Sequence, residues 1–309
     1  MPISVAHASL LLPKRKLSTA VPREYVHKSA LAEVLLTGWH QHTDDTFTVT
    51  AQWPRAHGYY QSDHGLFDPL LFAETVRQLF PLLSHVGYDV PFGHQLIWDK
   101  LDFELDPAAL RVEGTPAELR LDITCEVVRR RGELSAMTLR VLAFRDDHRL
   151  GTASARFSCH SPAVYRRLRA GRTDPQPIPL PPPAPPQRTA RDRYRDVVLS
   201  PTSDSAVWQL RTDVTHPVLF DHPVDHVPGM LLIEAARQAV HAAVYPWRGL
   251  LVGIETTFSR FAELDAPCWL ETRGAPQQRT DQTRVDLVAR QHGRDVFTGI
   301  ATYAHCPAR

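Results

Sequence analysis

Apolar and polar residues alternate strictly from Phe47 to Trp53, with Phe47, Val49, Ala51 and Trp53 on one side and Thr48, Thr50 and Gln52 on the other. A period of two is that of a strand with one buried face, and it predicts a strand over residues 44–53. Residues 26–39 fit a strand or a helix by pattern. A turn from Gly38 to Asp45 favours the strand, because the two segments then close as a hairpin. A polar, aromatic loop fills residues 54–69. The spacing then becomes helical over residues 70–80, with Asp68 as cap and Pro69 in the first turn. Alternation returns over residues 119–128, 137–144 and 150–157, punctuated by Gly132 and by Asp146 and Asp147.

The second half repeats this plan. A loop rich in His, Asp and Pro, residues 216–227, leads into Pro228 and Gly229 and then into an apolar helical run. Strands follow over residues 284–290 and 296–303, joined at His292 and Gly293. Gly151 and Gly299 take matching places in the last strands of the two halves. Glu234, Arg237 and Gln238 share one helix face, and Glu74, Arg77 and Gln78 repeat their spacing 160 positions earlier. Two copies of Glu-x-x-Arg-Gln, each behind a His/Asp/Pro loop, mark an internal duplication.

Each half therefore reads as a strand pair, a loop, a long helix and three or four antiparallel strands. That is an α+β tandem hot-dog: twice over, a long central helix wrapped by an antiparallel sheet. Proline-rich residues 175–187 read as an extended, semi-rigid spacer. The expected division is a leader over 1–20, one repeat over 21–160, a linker over 161–190 and the second repeat over 191–309.

Composition narrows the class. The chain is 43% hydrophobic and 22% charged with a net charge of +1, so no strong field favours nucleic acid or an anionic membrane. The run Arg129, Arg130, Arg131 reads as a solvated strand end. Cys125, Cys159, Cys268 and Cys306 show neither a disulfide framework nor zinc spacing, which suits a reducing cytoplasm. The only N-terminal apolar patch, Leu10 to Leu12, precedes the basic Lys14, Arg15 and Lys16. A secretory signal has the reverse order, and no run reaches the length of a membrane span. A soluble, cytoplasmic protein is expected.

A carboxylate and a guanidinium on a buried helix are costly unless paired or used. Residues 216–241 are thus the first candidate for the working part, and Glu74–Arg77 and Glu234–Arg237 read either as functional groups or as buried pairs locking the repeats together. Asp221 and Asp225 either act or cap turns. His27, His57, His64 and His85 read as structural. No ligand spacing supports a metal, and no cofactor motif is present.

The segment Pro228-Gly-Met-Leu-Leu-Ile-Glu-Ala-Ala-Arg-Gln238 resembles the helix start of hot-dog β-hydroxyacyl-carrier-protein dehydratases, but their His-Phe-Pro-Gly segment is absent. A longer resemblance spans almost the whole chain. Residues 26–39, Gln52-Trp-Pro-Arg55, Glu74-Thr-Val-Arg-Gln78 and the Phe220–Met230 segment are similar to signatures of the A-factor (AfsA-type) γ-butyrolactone synthases. The resemblance implies a cofactor-free acyltransferase of bacterial hormone synthesis. It would pass a β-ketoacyl group from acyl carrier protein to a hydroxyl of dihydroxyacetone phosphate. In that reading Glu234 or Glu74 is the general base, and His222 and His226 move protons. Arg237, Arg77, Gln238, Gln78 and Asp221 bind substrate, and the amides opening at Gly229 take the thioester oxygen. The second helix is favoured as the site, with Glu234→Ala expected to abolish product and spare the fold. A double repeat also lets a monomer stand where single repeats dimerise, so a monomer or a homodimer is expected. The rival classes are a non-catalytic ligand-binding protein and a hot-dog dehydratase or thioesterase.

Overall fold

The computed structural model describes residues 19–170, 172, 175–246, 249–278 and 282–305. Most of the expected leader, and Cys306, lie outside them. Among the described residues twelve strands form one sheet. In the first half these are β1 (Leu36–Thr43), β2 (Thr46–Trp53), β3 (Gln95–Leu105), β4 (Ala117–Arg130), β5 (Glu133–Arg145) and β6 (His148–His160). In the second they are β7 (Leu199–Pro201), β8 (Val207–Leu210), β9 (Gly249–Phe258), β10 (Trp269–Gln278), β11 (Gln282–Gln291) and β12 (Arg294–His305). The order is β1-β2-β4-β5-β6-β3-β9-β12-β11-β10-β8-β7, so the second half repeats the first in mirror sequence about the β3–β9 seam. That seam is antiparallel, pairing Lys100 with Thr257 and Phe103 with Ile254.

Helices α1 (Leu70–Tyr88) and α3 (Gly229–Val244) lie inside the curved sheet and touch one another. Both are buried on nearly every side, and this is the tandem hot-dog expected. A short helix, α2 (Pro162–Leu168), links the halves. Strands carry their apolar residues inward with period two, as Phe47, Val49, Ala51 and Trp53 do in β2. The tight hairpins fall at Arg131–Gly132, Asp146–Asp147 and His292–Gly293, and all six residues have positive φ. Gly151 lies so close to β3 that a β-carbon would come within 2.3 Å of the Glu104 carbonyl oxygen.

Three expectations shift. Residues 26–35 are not a strand; two 3₁₀ turns, Arg23–Val26 and Leu31–Glu33, precede β1. Much of their backbone is satisfied by side chains, those of α1 foremost. Arg77 donates to the Val26 and His27 carbonyls, while Gln78 donates to the Glu33 carbonyl and accepts from Leu35 N–H. The hairpin turn accordingly shrinks to Asp44 and Asp45. Helix α1 also runs on through Pro81, because buried Leu82, Leu83 and Ser84 hold the turn that proline weakens. Lastly, β3, β7, β8, β9 and β10 were not signalled individually, although each half does carry four strands after its helix.

Residues 175–185 have no regular secondary structure. They lie along the second half, with Ile178 N–H donating to Leu264 and Ala184 N–H to Leu199.

Candidate active site

A cavity of about 780 Å³ opens between the halves. Helix α1 contributes Glu74, Arg77, Phe80 and Pro81, β3 contributes Trp98, and the first-half loop contributes His27 and Lys28. The second half supplies Asp221, His222, His226 and the start of α3 at Gly229 and Met230.

The α3 entry is set by Pro228, whose extended ψ of 142° turns the chain into the helix. Gly229 is required there because a β-carbon would sit 2.8 Å from the Trp98 ring. The first amides of a helix have no partner within it and carry partial positive charge, so this end suits a developing oxyanion.

Two His–Asp pairs stand beside this helix start. His226 Nδ1 lies 2.7 Å from Asp225 Oδ1, and the Tyr165 hydroxyl donates to the same oxygen at 2.7 Å. Arg169 then binds Asp225 at 3.1 Å and Glu263 at 2.7 Å. Burial pushes the Asp225 carboxyl up, but the bonds from His226 and Tyr165 and the Arg169 charge outweigh it, leaving it at about 2. A carboxylate so fixed keeps the His226 ring oriented and its Nε2 available. In the second pair, His222 Nδ1 is 3.5 Å from Asp221 Oδ2. Asp221 accepts from Ser29 N–H at 2.5 Å and Ala30 N–H at 2.9 Å, tying this loop to the first half. Burial and the charge of Arg77 lower the His222 pKa, against the upward pull of Asp221.

Across the cavity, Glu74 pairs with Lys28 at 2.9 Å and accepts from Gln78 Nε2 at 2.9 Å, with Arg77 3.9 Å away. Burial raises its pKa, yet Lys28 and Arg77 more than offset this and the net shift is downward.

Glu234 has a different fate. It is 0% exposed and does not reach the cavity. Arg191 binds it at 2.9 and 3.0 Å, Arg237 at 2.6 and 2.9 Å, and Gln238 donates to the same carboxylate. Burial works to raise its pKa, but Arg191 and Arg237 pull it down to about 2. Tyr59 closes the place, its ring 4.1 Å from the Arg191 guanidinium and its carbonyl accepting from Arg191 Nη1 at 2.7 Å. The position around α3 that corresponds to the cavity around α1 is therefore filled by a loop and an ion cluster.

Of the expected site residues, the fold brings together Glu74, Arg77, Asp221, His222, His226 and Gly229. It does not bring in Glu234 or Arg237, whose charges are spent on each other and on Arg191. Gln78 and Gln238 do not line the cavity either. Both are fully buried, and Gln238 pins the second-half backbone at Asp196 O and Val198 N just as Gln78 pins Glu33 O and Leu35 N. His57 is structural, with Nδ1 accepting from Tyr59 and Tyr60 N–H, whereas His27 lines the cavity. Sequence reasoning missed Lys28, Tyr165, Arg169 and Arg191. Only Lys28 had a signal, its place beside His27 in residues 26–39. Among the described residues no group of three His, Cys, Asp or Glu is arranged to hold a metal, and no helix is long and apolar enough to cross a membrane.

A family model described as the A-factor biosynthesis hotdog domain matches residues 12–161 and again 173–307. A 2-oxo-3-(phosphooxy)propyl 3-oxoalkanoate synthase of Streptomyces virginiae is 46% identical over 286 residues, spanning 91% of this chain and 97% of that protein. One of Streptomyces coelicolor is 39% identical over 282 residues, spanning 90% and 89%. Among solved structures, the 12:0-ACP thioesterase from Umbellularia californica matches with TM-score 0.54 over 84% of this chain and 94% of that one. At 10% identity that likeness concerns the fold alone.

Proposed function

The chain belongs to the A-factor biosynthesis hotdog family, and from that premise we propose that it is an acyltransferase joining a 3-oxoacyl group to the free hydroxyl of dihydroxyacetone phosphate. The donor is a 3-oxoacyl thioester of acyl carrier protein, and the product is the phosphate ester that the relatives' name describes. The hydroxyl oxygen attacks the thioester carbonyl, the C–S bond breaks, and the hydroxyl proton passes through a base to the leaving thiolate.

His226 is that base. Its Nδ1 is engaged by Asp225, which leaves Nε2 for the hydroxyl, and it stands two residues ahead of the Pro228–Gly229 turn. The amides at Gly229 and Met230 stabilise the oxyanion. Lys28 and Arg77 attract the phosphate, and Glu74 holds Lys28 in place. His222 is a second proton carrier, oriented by Asp221. A positioned base is worth about 10²–10⁴-fold and an oxyanion donor about 10²–10³-fold. The observation that carries this reading is the His226–Asp225 dyad placed beside a helix N-terminus on the cavity between the halves.

The duplication is read as repeats over 21–160 and 191–309, supported by the mirrored strand order. Residues 161–190 do more than span the gap, since Tyr165 and Arg169 within them reach the site. One chain supplies both walls of the cavity, so a monomer suffices. Buried free Cys125, Cys159 and Cys268 suit a cytoplasmic protein.

The test is incubation of the purified protein with a 3-oxoacyl carrier protein and dihydroxyacetone phosphate, read by mass spectrometry. The phosphate ester is expected. Free 3-oxo acid as the main product would select a thioesterase, and unchanged thioester would select a binding protein.

A further inference from the structure

His27 lies on the cavity wall in a backbone conformation that few residues with a β-carbon adopt, φ 50° and ψ 51°. Such a residue persists only where its surroundings impose it, and these sites cluster at function. His27 closes the first 3₁₀ turn, its N–H donating to the Glu24 carbonyl, and Arg77 holds the conformation by donating to the Val26 carbonyl at 2.6 Å and to the His27 carbonyl at 3.2 Å. The ring is held too. His27 Nε2 lies 2.9 Å from His85 Nε2, and His85 Nδ1 lies 2.6 Å from the Val90 carbonyl oxygen.

These contacts restrict where the protons sit. A carbonyl oxygen only accepts, so His85 carries its hydrogen on Nδ1. Burial, then Arg77 and His85, lower the His27 pKa to about 3, so that ring is neutral, and burial likewise acts against the charged form of His85. His85 Nε2 is then a lone pair, and His27 must donate to it from Nε2. The remaining lone pair of His27 is on Nδ1, which no hydrogen bond among the described residues uses. The titratable groups that act on that ring are Arg77, His85 and His222, and Lys28, Glu74 and Asp221 line the same cavity.

We infer that His27 is a fixed hydrogen-bond acceptor that orients the co-substrate hydroxyl on binding, before that hydroxyl turns to His226 for the transfer, and that His85 is the positioning residue that sets the His27 tautomer. An acceptor beside Lys28 and Arg77 suits a small hydroxylated phosphate ester and gives nothing to an acyl chain. The identity of that co-substrate rests on the acyl-transfer reading; the tautomer does not.

The experiment is ¹⁵N NMR of the imidazole nitrogens of the whole protein, with His27 assigned through His27→Asn, before and after adding dihydroxyacetone phosphate. An unprotonated His27 Nδ1 that moves on addition is expected. His85→Phe, which fits the aromatic surroundings of Tyr25 and Phe92, removes the acceptor of the His27 proton and abolishes that response. His85→Gln places an amide oxygen near the old Nε2 and restores it. In steady-state assays His85→Phe raises KM for the phosphate co-substrate about tenfold, the worth of one neutral hydrogen bond, and leaves KM for the thioester unchanged. A protonated Nδ1 in the native protein, no response to the co-substrate, or an equal rise in both KM values overturns the inference. Ester formation failing altogether while the NMR response persists would remove the acyl-transfer reading and leave the acceptor role standing.

Discussion

Glu74 and Glu234 occupy the same turn of two duplicated helices, yet one faces a cavity through Lys28 and the other is sealed between Arg191 and Arg237. A symmetrical sequence motif has produced an asymmetric pair, one half facing the cavity and the other sealed away from it.

Removing the sealed carboxylate leaves two buried guanidinium groups facing each other. Glu234→Gln should therefore destabilise the fold by about 3–5 kcal/mol, the usual effect of deleting one partner of a buried ion pair. Denaturant unfolding checks this. Native stability with activity alone lost would return Glu234 to the catalytic role first expected of it.

The same group makes stability depend on acid. Its folded pKa of about 2 lies below the ordinary 4.5, so its contribution is fully present above pH 4.5 and is lost as pH falls towards 2. Urea unfolding across that window should show a shallower loss for Glu234→Gln than for the native protein. Parallel curves would mean that Arg191 and Arg237 do not hold the carboxylate as described.

At the start of α3 the prediction concerns space. Gly229→Ala puts a methyl group 2.8 Å from the Trp98 ring, which should cost about 1–3 kcal/mol by overpacking and displace the amides from the cavity. Trp98→Leu in the same chain should recover part of both losses. Purely additive effects in the double-mutant cycle would show that the two residues do not meet.

Asp225→Asn keeps the shape of the dyad and replaces an acceptor with an amide that can also donate. The His226 tautomer loses its anchor, so kcat should fall by about 10²–10⁴-fold. Tyr165→Phe removes only one of the bonds to Asp225 and should cost far less. Equal losses in the two variants would place the critical contact at Tyr165.

Much of this was legible because it is local. The Glu-x-x-Arg-Gln repeat, the alternation in β2 and the turns at Gly132 and His292 depend on residues within a few positions of each other. His226, Asp221 and Gly229 stood out through the density of His and Asp before a Pro–Gly turn. The asymmetry was not legible. It is decided by Arg191 and Tyr59, which come from segments without periodicity and meet each other across 132 residues. The early strand failed for a related reason: Arg77 and Gln78 satisfy that backbone from a helix more than 40 residues away, and no pattern in residues 26–35 reports it.

His226 is the proposed base at the cavity between the halves. Its most direct test is the rate of ester formation from 3-oxoacyl carrier protein and dihydroxyacetone phosphate by His226→Asn, measured beside its thermal unfolding. A fall of about 10²–10⁴-fold with an unchanged midpoint is predicted. A native rate in that variant would contradict the account.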